Sequence, residues 1–418
     1  MWYVGAHETQ TVIVLRAEAN GDGRLGTAAK SSGVTIVKIL MGDSLAYESP
    51  IQVGSHNYAR LFLEAGHEVF WLGGSLHLLN LLRAARGSSD DRALLESWRT
   101  GGKQIHERLV TYHPLTLLPY RNAPLLSSLW VLRHTLDTAA PRLGGILGRH
   151  GFAHTDILWL GQSFYSLSLL AHVRYDRLIY RMADSYPEFR GVPRSMKVAE
   201  EEIVARADAV FVTSRELYES VRSNAGEKAH YLPNGVNFEH FHIADVVEPA
   251  DIAALPHPRA LYVGMVADWF DVDLVLQAAR TLPDYTFIIV GPQRMALDKL
   301  KAQPNVHILG PRPYQAVPHY MRFCDVGIMP FAKTALTETV SPIKILEYLA
   351  AGLPAVAVRL SELAHMNSPA LLADTPAGFV DALREAVRRG RDLPEFTQFA
   401  RDHSWRKNYQ FITERWQA

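Results

Sequence analysis

The sequence has a single cysteine, no long apolar run and no excess of either charge. Cys324 alone cannot form an intramolecular disulfide, so a disulfide-stapled fold is excluded and a reducing compartment is favoured. Lys and Arg together number 43, as do Asp and Glu, whereas proteins that wrap nucleic-acid duplexes carry a strong basic excess. No run approaches the roughly 18 apolar residues of a membrane span. Residues 1–32 lack the basic start and apolar centre of a signal peptide. We therefore expect a cytoplasmic protein, with peripheral attachment to the inner face of a membrane left open.

An apparent dinucleotide-binding motif lies near the N-terminus. Gly-Asp-Gly-Arg-Leu-Gly at residues 21–26 follows a strand-like stretch and matches the G-x-G-x-x-G pattern. A functional motif needs a helix and then a second strand after this turn. The next strand-like stretch begins at Val34, whereas a crossover with its helix needs at least about 10–12 residues. We therefore interpret residues 1–33 as a flexible extension. Without a functional dinucleotide-binding motif, the sequence does not support an NAD-dependent dehydrogenase.

The rest of the chain alternates between strand-like and helix-like stretches. Buried strands are predicted first at 37–41, 68–72, 156–160, 177–180 and 209–213. A polar, proline-containing stretch follows, and then a second series is predicted at 261–266, 286–291, 306–309, 326–330 and 355–358. This alternation is typical of parallel sheets with helices on both faces. We predict an α/β protein with two Rossmann-like, doubly wound domains, residues 34–245 and 246–391. A C-terminal helix within residues 392–418 is expected to cross back to the first domain.

The most informative segment is a predicted helix late in the chain. Ser341 suits its N-cap, Pro342 its first position and Gly352 its C-terminal stop. Lys344 falls in the first turn, where a cation is disfavoured by a few tenths to about 1 kcal/mol unless an anion lies nearby. A diphosphate at the helix start would remove that conflict, and Glu347, one turn later, could accept hydrogen bonds from two ribose hydroxyls. The alternative is an exposed pair between Lys344 and Glu347, which stabilises a helix only slightly.

This helix resembles the donor-binding motif of GT-B glycosyltransferases of the group 1 (GT4-like) superfamily. Residues 231–241 resemble the interdomain signature of that family, and residues 262–266 resemble its first C-terminal-domain strand and glycine loop. Residues 306–310, with Tyr314, resemble the strand and loop beside the nucleotide base. The likeness extends from about residue 34 to the end and is most specific in the C-terminal half. Within the superfamily, the chain is most similar to bacterial exopolysaccharide, teichuronic-acid and xanthan-type glucuronosyltransferases.

The resemblance implies a GT-B fold and a hexosyltransferase that uses a nucleotide-sugar, expected to be UDP-linked. The acceptor would be a glycan or lipid-linked glycan in surface polysaccharide synthesis. The implied donor-binding residues are Gly264, Val266, Tyr314, Ser341, Pro342, Ile343, Lys344 and Glu347. The family usually carries a second glutamate that contacts the donor sugar. Thr339 occupies its place here, and Glu338 could replace it if the loop shifts.

The N-terminal half is expected to hold the acceptor and the catalytic base. Asp184 follows a predicted strand and resembles the strand-end aspartate that serves as base in xanthan-type glucuronosyltransferases. A carboxylate there can take the proton of the acceptor hydroxyl as the glycosidic bond forms; the alternative is a helix cap or turn residue. Gly54, Ser55 and His56 lie in the first strand-to-helix loop, where the family closes backbone around the donor phosphates, although a lone histidine is more often a surface or capping residue. An aspartate base favours inversion at the anomeric carbon, whereas the C-terminal motif favours retention, so the stereochemistry stays open.

No cofactor, metal or nucleic-acid partner is expected. Asp271 and Asp273 match the D-x-D of the other glycosyltransferase fold, but they open a predicted helix, where acidic residues act as caps. GT-B enzymes usually neutralise the leaving diphosphate with helix termini and basic side chains. Residues 112–121 are apolar and proline-rich, and Trp130 follows among further leucines. They could rest on a membrane or receive a lipid-linked acceptor, or they could form an ordinary core loop and buried helix.

Two alternative functions are compatible with the same fold. A nucleotide-sugar epimerase would bind the donor and need no acceptor, so the leucine-rich N-terminal surface argues against it. A non-catalytic subunit would bind a nucleotide-sugar without converting it. The combination of Lys344, Glu347 and Asp184 argues against that second alternative.

Overall fold

The structure is a computed structural model, and it describes residues 36–49, 52–86, 88–184 and 192–416 of the chain. The glycine motif at residues 21–26 and the predicted extension, residues 1–33, lie outside the described residues. Two α/β domains follow one another along the described chain.

The N-terminal domain contains the first sheet. Its strands are β1 (Lys38–Gly42), β2 (Glu68–Leu72), β3 (Lys103–His106), β4 (Leu109–Tyr112), β5 (His154–Leu160), β6 (Arg174–Met182), β7 (Ala209–Val212) and β8 (Ala229–Tyr231). Their order is β3-β4-β2-β1-β5-β6-β7-β8, and every neighbouring pair is parallel except β3 with β4. Because β1 lies between β2 and β5, the winding reverses there. A crevice is therefore expected at the carboxyl ends of β1 and β5.

The C-terminal domain contains a second, fully parallel sheet. Its strands are β9 (Arg259–Val263), β10 (Thr286–Val290), β11 (Val306–Gly310), β12 (Val326–Met329), β13 (Ala355–Val358) and β14 (Leu371–Ala373). The order is β11-β10-β9-β12-β13-β14. The winding reverses between β9 and β12, which places a second crevice at their carboxyl ends. The predicted α/β class with two doubly wound sheets is confirmed.

Helices connect the strands and cover both sheets. In the N-terminal domain they are α1 (Gly54–Glu64), α2 (Leu78–Ala85), α3 (Ser89–Thr100), α4 (Leu129–His134), α5 (Leu143–Arg149), α6 (Ser166–Leu169), α7 (Ser195–Arg206) and α8 (Arg215–Ala225). After the connecting segment come α9 (Phe238–Phe241), α10 (Val272–Thr281), α11 (Asp298–Lys301), α12 (Val317–Arg322), α13 (Ala335–Glu338), α14 (Ile343–Ala350), α15 (Ser361–Met366), α16 (Pro376–Arg389), α17 (Pro394–Asp402) and α18 (Trp405–Trp416). No helix in these described ranges is long and apolar enough to span a bilayer.

Each sheet has a hydrophobic core on both of its faces. Along β5, Leu158 and Leu160 pack into one cluster, whereas Ile157 and Trp159 pack into the cluster on the opposite face. Successive side chains of a strand point to opposite faces, so a strand covered on both sides must be apolar throughout. This requirement explains the continuous apolar runs that the sequence shows.

The chain returns to the N-terminal domain at its end. Helix α17 packs on α14 of the second domain, and α18 then packs on α1 of the first. Trp405 and Trp416 of α18 are buried; Trp405 lies 5.3 Å from Tyr58 and Trp416 lies 5.3 Å from Phe62, measured between ring centroids. The last helix therefore joins the domains through an aromatic cluster on the first sheet.

Candidate active site

The start of α14 lies at a contact between the two domains. Asn234, in the segment after β8, donates from its backbone N–H to Ser341 Oγ and from Nδ2 to the Ser341 carbonyl, both at 3.0 Å. Ser341 lies one residue before the N-cap of α14, and its hydroxyl bonds Asn234 rather than the helix. Pro342 is the N-cap residue, Ile343 is the first helical residue, and no side chain caps this end. The sequence-based assignment of Ser341 as N-cap is therefore wrong.

Lys344 and Glu347 project from the same side of α14. Their Nζ and Oε2 atoms lie 2.7 Å apart, and the side chains are 27% and 6% exposed. The pair is thus much less exposed than the surface pair that was the alternative. An uncapped helix start with a lysine in its first turn is a favourable position for an anion.

Gly264, directly after β9, lies beside Lys344 and the Tyr262 hydroxyl. The glycine has φ +157°, and a Cβ atom placed there would lie 3.6 Å from Lys344 Cε and 2.9 Å from the Tyr262 hydroxyl. Val266, in the same loop, is different. Its side chain is fully buried, its N–H donates to the Pro292 carbonyl, and its carbonyl accepts from the Arg294 N–H. Gly264 therefore borders the start of α14, whereas Val266 holds the loop onto the domain.

Two stacked rings lie near Glu347. The ring of Tyr314 is parallel to that of His240, with 4.0 Å between the centroids and 7° between the planes. Burial lowers the pKa of His240, and the nearby Glu347 carboxylate acts in the opposite direction. Burial and the same carboxylate both raise the pKa of Tyr314. Arg60, from α1 of the other domain, acts on both rings electrostatically. His240 was not singled out from the sequence, although it lies within the interdomain segment 231–241.

Asp184 lies just beyond the carboxyl end of β6. Gln162 fixes the loop, because its Oε1 accepts from the N–H groups of Ala183 and Asp184 at 3.2 and 3.1 Å, and its Nε2 donates to the Asp184 carbonyl at 2.6 Å. Burial raises the pKa of the Asp184 carboxyl, and the Arg181 guanidinium opposes that shift. Gln162 thus fixes the backbone of Asp184 just beyond the carboxyl end of β6.

The loop before α1 does not present its histidine to the crevice. Val53 donates its N–H to His56 Nδ1 at 3.2 Å, and His56 Nε2 lies 3.0 Å from the Ala46 carbonyl oxygen. The ring packs on Trp71 with 4.7 Å between centroids and is buried. Ser55 is also buried, and Gly54 is the first residue of the helix. His56 therefore fixes the start of α1, which is the capping role left open above.

Glu338 is bound to another helix. Its Oε2 accepts from the Ser361 N–H at 2.7 Å and from the Ser361 hydroxyl at 2.5 Å, at the start of α15. Thr339 is buried and donates its hydroxyl to the Leu336 carbonyl. Helix α15 therefore uses the Glu338 carboxylate, and Glu338 would have to leave Ser361 before it could contact a donor sugar.

The acidic pair of the D-x-D pattern is divided between two structural tasks. Asp271 Oδ1 accepts from the Leu274 N–H at 2.8 Å and caps α10, and Asp273 pairs with Lys299 at 2.8 Å. Within the described ranges, one group of potential ligands converges, namely His154, Asp156 and Asp176, at the amino ends of β5 and β6. These residues lie at the amino ends of the strands, whereas Asp184 lies beyond the carboxyl end of β6.

The C-terminal domain matches a known family. Residues 257–389 match the family model of group 1 glycosyl transferases. TuaH of Bacillus subtilis (strain 168), whose name assigns it provisionally as a glycosyltransferase of teichuronic acid biosynthesis, is 31% identical over 241 residues. The match covers 52% of this chain and 60% of TuaH, so the chain spans less than two thirds of that relative.

Solved structures share the architecture over most of the chain. Sucrose-phosphate synthase from Thermosynechococcus elongatus aligns with a TM-score of 0.66 and 14% identity, over 90% of this chain and 98% of that protein. Anabaena Alr3699/HepE in complex with UDP-glucose aligns with a TM-score of 0.58 and 15% identity, over 90% and 98% of the two chains. At these identities the likeness is one of fold, and the fold is GT-B.

Proposed function

We propose that this chain, whose residues 257–389 form a group 1 glycosyl transferase domain within a GT-B fold, transfers a hexose from a nucleotide-sugar to an acceptor hydroxyl. The observation that carries the proposal is the ion pair of Lys344 and Glu347 at the uncapped start of α14, where the two side chains are 27% and 6% exposed. Glu347 already places one negative charge beside Lys344, and the uncapped N–H groups of the helix start still favour a further anion. A sugar diphosphate supplies that anion.

UDP-sugar is the proposed donor class. The diphosphate would lie at the start of α14 against Lys344 and the Gly264 loop, and the ribose hydroxyls would donate to Glu347. The stacked rings of Tyr314 and His240 provide a flat surface beside Glu347 for a nucleobase. The structures of Anabaena Alr3699/HepE hold UDP and UDP-glucose, which supports the same donor class here.

The proposed chemistry uses Asp184 as the general base. Its carboxylate takes the proton of the acceptor hydroxyl while the acceptor oxygen forms a bond to the anomeric carbon. The bond between that carbon and the diphosphate oxygen breaks, and the nucleoside diphosphate leaves with the electron pair. Lys344 and the N–H groups at the start of α14 stabilise the charge that develops on the leaving group.

The proposed acceptor is a glycan or lipid-linked glycan of a surface polysaccharide, received at the inner face of a membrane. Apolar side chains are exposed on the N-terminal domain around α2, the loop after β4 and α4. We call them the apolar rim; they are Leu78, Leu79, Leu82, Leu117, Leu125 and Trp130. Exposed Arg83, Arg121 and Arg133 lie among them in the sequence. Apolar residues interspersed with arginines suit the interface of an anionic membrane.

The direct test is transfer from a panel of UDP-sugars to membrane glycolipid extracts. We expect acceptor-dependent release of UDP with one of the sugars, and incorporation of that sugar into the lipid fraction. Conversion of the donor to another UDP-sugar without acceptor would identify an epimerase instead. Binding of UDP-sugars with neither outcome would support the non-catalytic alternative.

A further inference from the structure

Arg181 is a buried cation at the end of β6, three residues before Asp184. It is 4% exposed, and its guanidinium lies over the rings of Tyr58 and Trp405, at 5.5 and 5.9 Å from their centroids. Its Nη2 donates to Asn234 Oδ1 at 2.6 Å. Among the described residues no carboxylate lies within ion-pair distance of the guanidinium, and Nε has no hydrogen-bond partner. A buried guanidinium is always charged and usually has an anionic partner.

The same guanidinium touches the first turn of α1. A Cβ atom placed on Gly54, the first helical residue, would lie 2.6 Å from Nη2 and 2.7 Å from Cζ of Arg181. The N-terminus of this 11-residue helix carries partial positive charge, so an arginine beside it is electrostatically unfavourable unless an anion is bound. The helix terminus and the arginine, whose Nε has no hydrogen-bond partner, therefore favour the same kind of ligand at the same place.

Asn234 connects this position to the start of α14. Its Oδ1 accepts from Arg181, and its Nδ2 and N–H donate to Ser341, which precedes the donor helix. Across this contact, Lys344 is already paired with Glu347, whereas a sugar nucleotide carries a diphosphate with more than one negative charge. Arg181 is a second cation, from the N-terminal domain, with no carboxylate within ion-pair distance among the described residues, although the Asp184 carboxylate acts on it electrostatically from further away. It would balance the remaining charge.

We infer that Arg181 is a donor-binding residue contributed by the N-terminal domain, which binds the distal phosphate of the sugar diphosphate together with the first N–H groups of α1. The inference rests on the proposed function, since it assigns a further contact within the same donor site. Arg181 of the N-terminal domain and Lys344 of the C-terminal domain then both bind the diphosphate. Asn234 fixes the position of the guanidinium relative to the start of α14, because it bonds both Arg181 and Ser341. Binding of the diphosphate therefore favours closure of the domains.

The test compares the binding of UDP and uridine by calorimetry to the full chain and to Arg181→Gln. Charge-assisted hydrogen bonds to phosphate contribute enough that the variant should lose roughly tenfold or more in UDP affinity. The affinity for uridine, which lacks phosphate, should stay within about twofold. Arg174→Gln is the matched control, because Arg174 lies exposed at the opposite end of the same strand and should bind UDP as the unmodified protein does.

Each outcome decides a separate question. If the unmodified protein binds no UDP, the proposed donor itself is wrong. If it binds UDP and folded Arg181→Gln binds UDP equally well, the assignment of Arg181 is overturned while the donor stands. Equal losses for UDP and uridine would likewise overturn it, because they would indicate a purely structural role. If Arg181→Gln does not fold, Gly54→Ala replaces it: the added Cβ displaces the guanidinium, and a loss specific to UDP is again expected.

Discussion

Lys344 Nζ and Glu347 Oε2 lie 2.7 Å apart on α14, so the groups proposed to bind diphosphate and ribose are in direct contact. The carboxylate is almost buried, and a buried charge that loses its partner is costly. Each residue therefore holds the other in position before the donor arrives. The pairing also means that Lys344 alone cannot balance the charge of a diphosphate, which is why a second cation matters.

Asp184→Asn tests the proposed base. Asparagine keeps the size of the side chain, and the contacts of Gln162 are to the backbone, so UDP affinity should change by less than about twofold while turnover falls roughly 10²- to 10⁴-fold. Measurement of kcat beside UDP binding checks both parts. Asp176→Asn is the control: Asp176 is exposed in the amino-terminal half of β6, the strand that precedes Asp184, and its substitution should leave turnover unchanged. A variant of Asp184 with full turnover would exclude it as the base.

The pH dependence of the same reaction follows from the environment of Asp184. Burial raises its pKa above the usual value for aspartate, and only the deprotonated carboxylate can take a proton. The rate should therefore rise with pH, and the midpoint of that rise, the acid limb of the profile, should lie at a higher pH than the pKa of an exposed aspartate. An acid limb at the ordinary aspartate value would contradict this placement.

Glu200 gives a pH-dependent contribution to stability. Burial raises its pKa to about 7, although Gln162 and Tyr180 donate to its carboxylate. Because the folded state favours the protonated form, the contribution is fully present below the usual glutamate pKa and is lost as pH rises through about 7. The loss is at most about 3 kcal/mol. Glu200→Gln should remove it, so that the variant is more stable than the unmodified protein at pH 8 and similar to it at pH 4. Urea unfolding at both pH values measures this, and identical pH profiles for the two proteins would contradict it.

Trp405 should be the main anchor of the last helix on the N-terminal domain. It is 2% exposed and contacts Tyr58, so Trp405→Ala should lower the free energy of unfolding by about 3–5 kcal/mol. Trp130→Ala is the control, because Trp130 is 61% exposed and its loss should change stability by less than about 0.5 kcal/mol. Comparable effects of the two substitutions in urea unfolding would contradict the anchoring role.

The apolar rim should bind anionic membranes. Leu78 and Leu82 lie one turn apart on α2 and are both about half exposed, so serine at both positions should weaken binding to vesicles that contain phosphatidylglycerol by roughly tenfold. Vesicle sedimentation measures this directly. Val247→Ser, at an exposed apolar residue of the segment that joins the domains, should bind as the unmodified protein does. Equal binding by the double variant and the unmodified protein would contradict a role for this surface.

Each strand predicted from the sequence corresponds to a strand of one of the two sheets, whereas β3, β4, β8 and β14 were not predicted. The predicted bounds 68–72 and 355–358 are those of β2 and β13, because a strand buried on both faces is a short, uninterrupted apolar run. β3 was missed because three of its four residues, Lys-Gln-Ile-His, are polar and none is fully buried at this edge of the sheet. β14 is three residues long and half buried, which gives no periodic signal.

Contacts between distant residues explain what the sequence could not show at the site. Lys344 and Glu347 lie one turn apart in a single helix, so their spacing was visible. The environment of Arg181 is not visible, since it depends on Gly54 and Asn234, which come from other parts of the chain. The hydroxyl of Ser341 was misassigned for the same reason: its partner, Asn234, lies 107 residues away in the sequence.

The most direct test of the donor site is a thermal-shift comparison of the unmodified protein and Lys344→Ala with UDP, GDP, ADP, NAD and several UDP-sugars. A ligand that binds only the folded state at about 100 times its Kd stabilises it by about 2.7 kcal/mol, which raises Tm by several degrees. We predict stabilisation by UDP and by at least one UDP-sugar, and loss of that stabilisation in Lys344→Ala. Absence of a shift with every nucleoside diphosphate, or a shift that Lys344→Ala retains, would contradict the proposed donor site.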